Sequence, residues 1–164
     1  MLSERSLKNL ATAHPKFLQL FSAVAEIMPC EVICGWRGEA EQHAAFLAGT
    51  SQKDWPDGKH NKPLPDGSPY SDAADVVTLP IRWPDIMVIF RKIKNDPTAA
   101  TAEDWHKLLI AIETYYFFAG VVKAVAAGKN IPIRWGGDWD GDVDFDDQRF
   151  NDLVHYEIRG GQMN

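Results

Sequence analysis

The chain has 164 residues, 45% of them apolar and 24% charged, the balance of one globular domain with room for a hydrophobic core. Its net charge of −6 speaks against a general affinity for nucleic acid through phosphate contacts. No run approaches the roughly 18 consecutive apolar residues of a membrane span, so no stable membrane association is expected, and the N-terminal MLSERSLKNLATAHPKF lacks the apolar stretch of a secretory signal, which implies a cytoplasmic start.

Residues 3–27 predict one helix, because Leu7, Leu10, Phe17, Leu18, Phe21, Val24 and Ile27 recur near helical spacing, with Pro15 as a break or restart. A short strand over 31–34 enters a turn at Gly35-Trp36-Arg37, and 39–48 is rich in helix formers up to a stop at Gly49. Cys30 and Cys34 have no second pair to make a zinc knuckle and read as small buried apolar residues. From 50 to 71 the chain is polar and carries Pro56, Pro63, Pro65 and Pro69 with Gly58 and Gly67, a long loop of the kind that serves function.

A β-branched strand follows over 73–79, then helices over 83–95 and 102–127. The second helix carries Trp105, Leu108, Leu109, Ile112, Tyr115, Tyr116 and Phe118, a broad apolar face expected to pack on a sheet. Strands over 131–135 and 153–158 flank an acidic stretch with seven aspartates between Asp138 and Asp152 against the single base Arg149. A solvated loop is the plain reading of that stretch. Asp138, Asp140 and Asp142 alternate as in a calcium loop, but Val143 stands where the turn glycine belongs and Arg149 where the bidentate glutamate belongs. The pattern as a whole predicts an α+β fold, a small antiparallel sheet flanked by helices, in a single domain spanning 1–164 and acting as a monomer.

The chemistry-bearing residues are scattered. His60, Asp75 and His155 can supply the two or three nitrogen and oxygen ligands of an open, catalytic zinc shell. Asp152, three residues before the last of them, leaves a carboxylate free to act as a base toward water. Each has a blander reading: His60 as a polar loop residue, Asp75 as a cap or an arginine partner, His155 as a half-buried strand residue bonded to backbone. Alternation in Asp152-Leu-Val-His-Tyr-Glu-Ile puts His155 and Glu157 on one strand face and Tyr156 on the other. In Arg134-Trp-Gly-Gly-Asp-Trp139 the paired glycines permit a tight turn, and Trp135 and Trp139 either pave a groove or pack in the core. Arg37 offers a planar fork for a carboxylate or an oxyanion, or else a surface ion pair.

Four blocks, in order, resemble the phage endolysin branch of the zinc D-Ala-D-Ala carboxypeptidase-like peptidases, the group that also contains hedgehog-type relatives. Cys34-Gly-Trp-Arg37 with Gln42 is similar to the family's Gly-x-Arg-x-x-x-x-Gln block, and Lys59-His60 through Ser71-Asp-Ala-Ala-Asp75 to its Ser-x-His and Gly-x-Ala-x-Asp block. Arg134-Trp-Gly-Gly-Asp-Trp139 and Asp152-Leu-Val-His155 resemble its Trp-Gly-Gly-Asp-Trp turn and its base-and-ligand block. The resemblance implies that His60, Asp75 and His155 hold zinc, that Asp152 is the base, that Arg37 meets the substrate or its oxyanion, and that Gln42, Trp135 and Trp139 line the substrate. It implies cleavage of peptidoglycan stem peptides, most readily between L-alanine and D-glutamate, by an endolysin that reaches the wall with a holin and has no separate wall-binding domain. The rival activities are a D-alanyl-D-alanine carboxypeptidase and an inactive zinc-containing wall-binding module. Two departures stand out: Gly58 where the family has serine, and fourteen residues between His60 and Asp75, more than the family spacing and read as a loop insertion.

Overall fold

The computed structural model describes residues 1–80 and 83–160, so short pieces of the 1–164 span expected to form one domain lie outside the described residues. The chain runs α1 (Glu4–Leu10), α2 (Pro15–Ile27), β1 (Cys30–Cys34), α3 (Glu39–Leu47), β2 (Ala73–Thr78), α4 (Trp83–Asn95), a 3-10 turn at Pro97–Ala99, α5 (Ala102–Gly128), β3 (Ile133–Gly136) and β4 (Asp152–Ile158). The strands form one antiparallel sheet in the order β1-β2-β4-β3. This is the α+β architecture that the sequence pattern implies.

The single helix expected over 3–27 is two helices. Proline has no N–H to give to a preceding turn, so α2 starts with Pro15 in its first position. His14 caps it, its Nδ1 accepting from the Lys16 N–H at 3.2 Å. The same α2 places Phe17, Leu20, Phe21 and Val24 on one stripe, each with no exposed surface. These pack with Tyr115, Phe118 and Val122 of α5 over the sheet face that carries Val32, Ala74, Val76, Tyr156 and Ile158. Tyr156 is the hub: its ring meets Phe21 edge-on at 5.6 Å and Phe118 at 6.2 Å.

Helix α5 departs from expectation. It starts with a capping box, the Thr101 N–H donating to Asp104 and the Asp104 N–H to the Thr101 hydroxyl. Apolar residues occur on all its sides, and only the stripe through Leu108, Ala111, Tyr115, Phe118 and Val122 is buried, leaving Trp105, Leu109, Ile112 and Phe117 exposed. One helix can turn only one stripe to a sheet, so the broad face expected to pack is split between core and surface. By length and composition α5 is long and apolar enough to cross a membrane.

Alternation along β2 and β4 then decides where chemistry sits. With Tyr156 on the helix-covered face, His155 and Glu157 project from the other. Asp75 stands directly opposite His155 in the β2–β4 register, so the two side chains meet on the open face. Asp152 reaches that region through an irregularity: Trp135 pairs with Tyr156 but the next β3 residue, Gly136, pairs with Asp152. The glycine pair makes this approach possible. A Cβ on Gly136 would lie 2.4 Å from the Asp152 carbonyl oxygen, and one on Gly137 would lie 2.4–2.6 Å from atoms of the buried Trp135 ring. Gly137→Ala is therefore expected to destabilise the fold by about 1–3 kcal/mol, read as a fall of several degrees in Tm, because neither ring nor backbone can give way.

Candidate active site

Three atoms form the heart of the site. His60 Nε2, His155 Nδ1 and Asp75 Oδ1 lie 3.2 Å (His60–His155), 3.2 Å (His60–Asp75) and 2.9 Å (His155–Asp75) from one another. All three side chains are buried. Each histidine is held by its other nitrogen. His60 Nδ1 donates to the Gly35 carbonyl at 2.6 Å, and His155 Nε2 faces Glu157 Oε1 at 3.1 Å. Those partners reserve the remaining nitrogens, with their lone pairs, for the centre of the triangle.

The donor set fits zinc. A tetrahedral ion with bonds of about 2.0–2.2 Å spaces its ligand atoms about 3.3–3.6 Å apart, slightly wider than the 2.9–3.2 Å sides of the triangle seen here. Two imidazole nitrogens and a carboxylate leave a fourth position open, and Glu157 supplies the outer carboxylate that orients a ligating histidine. Cys34, His60 and Asp75 also offer ligand atoms within 4.8 Å of one another. Cys34 Sγ, however, lies on the Nδ1 side of His60, at 3.8 Å, where that nitrogen is already committed to Gly35. The triangle through Nε2 is the better cation site.

The electrostatics describe a centre made for positive charge. Burial alone would lower the His60 pKa, but the charge of Asp75 and its hydrogen bond outweigh it and raise the value to about 10. His155 rises to about 8 for the same reason, with bonds to Asp75 and Glu157 overcoming burial. The Asp75 carboxyl is held well below the usual carboxylate range: burial would raise it, and the two histidines prevail. Glu157, bonded to His155 and Arg134, falls to about 2 although burial opposes this. Asp152 goes the other way. Burial and the charge of Asp75 raise it, against the opposing charges of His155, His60 and Arg37. Its carboxylate has no hydrogen-bond or ion-pair partner among the described residues.

A polar chain ties this centre to the surrounding loops. Arg37 Nη2 donates to Asp75 Oδ2 at 2.9 Å and Nη1 to Gln42 Oε1 at 3.2 Å. Gln42 passes the contact on, its Nε2 donating to the Ser51 hydroxyl at 2.9 Å and to the Lys53 carbonyl. Although Gln42 lines the cleft, it is buried with both ends of its amide engaged, so it holds Arg37 and the 50–53 segment rather than offering a free amide. Glycine at position 58 has a local cause: a Cβ there would lie 2.2 Å from Asn61 Oδ1. Asn61 fills that space and donates to the Arg37 carbonyl at 2.6 Å. The longer spacing between His60 and Asp75 is absorbed by a stretch that closes on itself, with the Lys62 N–H bonded to the Tyr70 carbonyl at 2.9 Å and the Leu64 N–H to Ser68 at 3.0 Å. His60 and Asp75 still meet across it, at 3.2 Å.

The two tryptophans part company. Trp135 is a core residue, 1% exposed, its indole N–H donating to the Leu153 carbonyl at 2.9 Å, so the expectation that it paves a groove is corrected. Trp139 does line the cleft, with the Arg134 guanidinium over its ring at 5.3 Å and its ring 5.5 Å from that of His155. The cleft has a volume of about 450 Å³ and is bounded by segments 50–53 and 57–60, by 148–150 and by Arg37, Arg134, Asp152, His155 and Glu157. In the acidic stretch, Asp138 is fully buried and paired with Lys123, while Asp140 to Asp147 are exposed, as a solvated loop would be. Cys34, expected with Cys30 to be a small buried apolar residue, is instead half-buried beside His60, and the Glu157–Arg134 pair behind His155 has no counterpart in the sequence pattern beyond the same-face placement of Glu157 with His155.

No protein-family model and no curated protein sequence matches the chain. Among solved structures the fold is similar to the crystal structure of Serratia marcescens L-Ala D-Glu endopeptidase ChiX, with a TM-score of 0.56 and 22% sequence identity over 96% of this chain and 90% of that one.

Proposed function

We propose that this protein is a zinc-dependent peptidoglycan hydrolase that cuts the stem peptide at the L-alanyl-D-glutamate bond. The observation that carries this reading is the triangle of His60 Nε2, His155 Nδ1 and Asp75 Oδ1, with the other nitrogen of each histidine held by Gly35 or Glu157. Positive charge is what lets these three atoms converge: protons on the histidines supply it without metal, and a bound ion would replace them. The fold shared with an enzyme described as an L-Ala D-Glu endopeptidase supports the choice of bond.

Zinc, when bound by His60, Asp75 and His155, supplies Lewis acidity toward a water and the scissile carbonyl. The chain's own residues do the rest. Asp152, whose carboxylate has a raised proton affinity and no partner among the described residues, takes the proton from water and returns it to the leaving amine. Arg37, anchored by Asp75 and Gln42, retains donors beyond those two contacts for the oxyanion that develops on the substrate. Glu157, fixed by Arg134, keeps His155 in the tautomer whose Nδ1 is free. Trp139 forms a wall against which the substrate lies.

Two further results are expected. Glu157→Ala should weaken zinc binding by roughly 10–100-fold, measured by competition with a chelating dye, since an outer partner of a ligating histidine is lost. Unchanged affinity would remove Glu157 from the site. Zinc affinity should also fall in acid. With pKa values raised to about 10 and about 8, His60 and His155 carry protons below those values, and an ion must displace them. Below pH 8 the affinity is expected to drop by up to about a hundredfold per pH unit, with two protons released per ion in calorimetry across several buffers. Binding that ignored pH would exclude the two histidines.

A further inference from the structure

The metal triangle and its partners account for the floor of the cleft but not for its rim. Five basic side chains line the cleft: Arg37, Lys53, Lys59, Arg134 and Arg149. Two are committed, Arg37 to Asp75 and Arg134 to Glu157. Lys53, Lys59 and Arg149 have no hydrogen-bond or ion-pair partner for their side chains among the described residues. Asp57 is the one rim carboxylate beside them; Asp152 and Glu157 belong to the floor. An excess of unpaired positive charge thus gathers here in a chain whose net charge is −6.

A lone unpaired lysine on a surface means little. What counts is convergence from segments nearly a hundred residues apart in sequence, and the placement of Arg149 most of all. It is the single base in the acidic stretch from Asp138 to Asp152, and the chain turns 148–150 into the cleft while Asp140 to Asp147 stay outside its lining. Concave, low-dielectric surroundings concentrate the field of such charges and draw in ligands of the opposite sign. Cations whose partners are missing from the protein find them in a ligand, and charge-assisted bonds to carboxylates are the strong ones.

We propose that Lys53, Lys59 and Arg149 form a carboxylate-recognition rim, so that the site takes an acidic stem peptide and discriminates against the same peptide with its carboxylate amidated. The proposal rests on the peptidase reading of the site. Amidation keeps the shape of the peptide and removes only the charge, which isolates the contribution of the rim.

The test uses the zinc-loaded Asp152→Asn protein, in which turnover is suppressed, and calorimetric titration with two synthetic stem tripeptides. One has a free carboxylate on its acidic residue and the other a carboxamide there. The free acid should bind at least about tenfold tighter at low ionic strength, and the gap should shrink as salt screens it. A variant carrying Lys53→Met, Lys59→Met and Arg149→Met should bind the two peptides equally while keeping its zinc and its near-UV circular dichroism. Equal binding of both peptides by the parent protein, binding of neither, or a gap that survives the triple substitution would each overturn the proposal. Cleavage by the wild-type protein is scored separately. Charge-dependent binding without cleavage would sink the peptidase reading alone, and cleavage without charge preference would sink the rim alone.

Discussion

Asp152→Asn is expected to lower the rate of peptidoglycan hydrolysis by about 10²–10⁴-fold while leaving zinc content and fold unchanged, the range typical of a lost general acid–base group. Two features set Asp152 apart from the other acids of the site. Asp75 and Glu157 are held low by ion pairs and have their oxygens engaged, Asp75 with both histidines and Arg37, Glu157 with His155 and Arg134. Asp152 alone of the three is raised and, among the described residues, unpartnered. A carboxylate that already takes a proton readily, in the cleft beside His155, is suited to carry a proton from water to a departing amine. Asparagine keeps its size and removes the basicity, so a variant with normal turnover would dismiss Asp152 from that role.

His155→Ala is expected to act one step earlier, on the metal itself. Removing a direct ligand should cost more zinc affinity than the roughly 10–100-fold attached to an outer partner, and activity should vanish with the metal. Inductively coupled plasma mass spectrometry on the purified variant reads this directly. The loss also leaves the Asp75 and Glu157 carboxylates without a partner they share, so the site should not rebuild itself around the gap. Full zinc occupancy in the variant would remove His155 from the ligand set and turn attention to Cys34, the other donor within reach of His60.

Much of this centre was legible in the sequence because strand alternation is a strong rule. Reading Asp152-Leu-Val-His-Tyr-Glu-Ile with a period of two puts His155 and Glu157 together and Tyr156 opposite, and the structure has that arrangement, with Tyr156 in the core. The length of α4 and the limits of β2 and β4 came through within a residue or two for similar reasons. Other features depend on contacts between distant segments that no local pattern encodes. Nothing in Trp-Gly-Gly-Asp-Trp says which tryptophan is buried. That follows from the register shift between β3 and β4, which sends Trp135 inward to the Leu153 carbonyl and leaves Trp139 at the cleft. The buried Gln42 amide bridges Arg37 to Ser51 and Lys53 across a loop whose course is not periodic. Nothing at position 58 itself says that Asn61 takes up the space of a side chain there. The apolar surround of α5 defeats face assignment outright, because every stripe of it reads as a packing face.

Hydrolysis of one peptide bond in the bacterial wall is the task we propose for the triangle of His60, Asp75 and His155. The most direct measurement is mass spectrometry of purified peptidoglycan digested with the zinc-loaded protein, run beside a chelator-treated sample. The expected result is peptides that begin with D-glutamate, released from glycan-linked L-alanine, only when zinc is present. Release of terminal D-alanine alone, or no new termini at all, would contradict it.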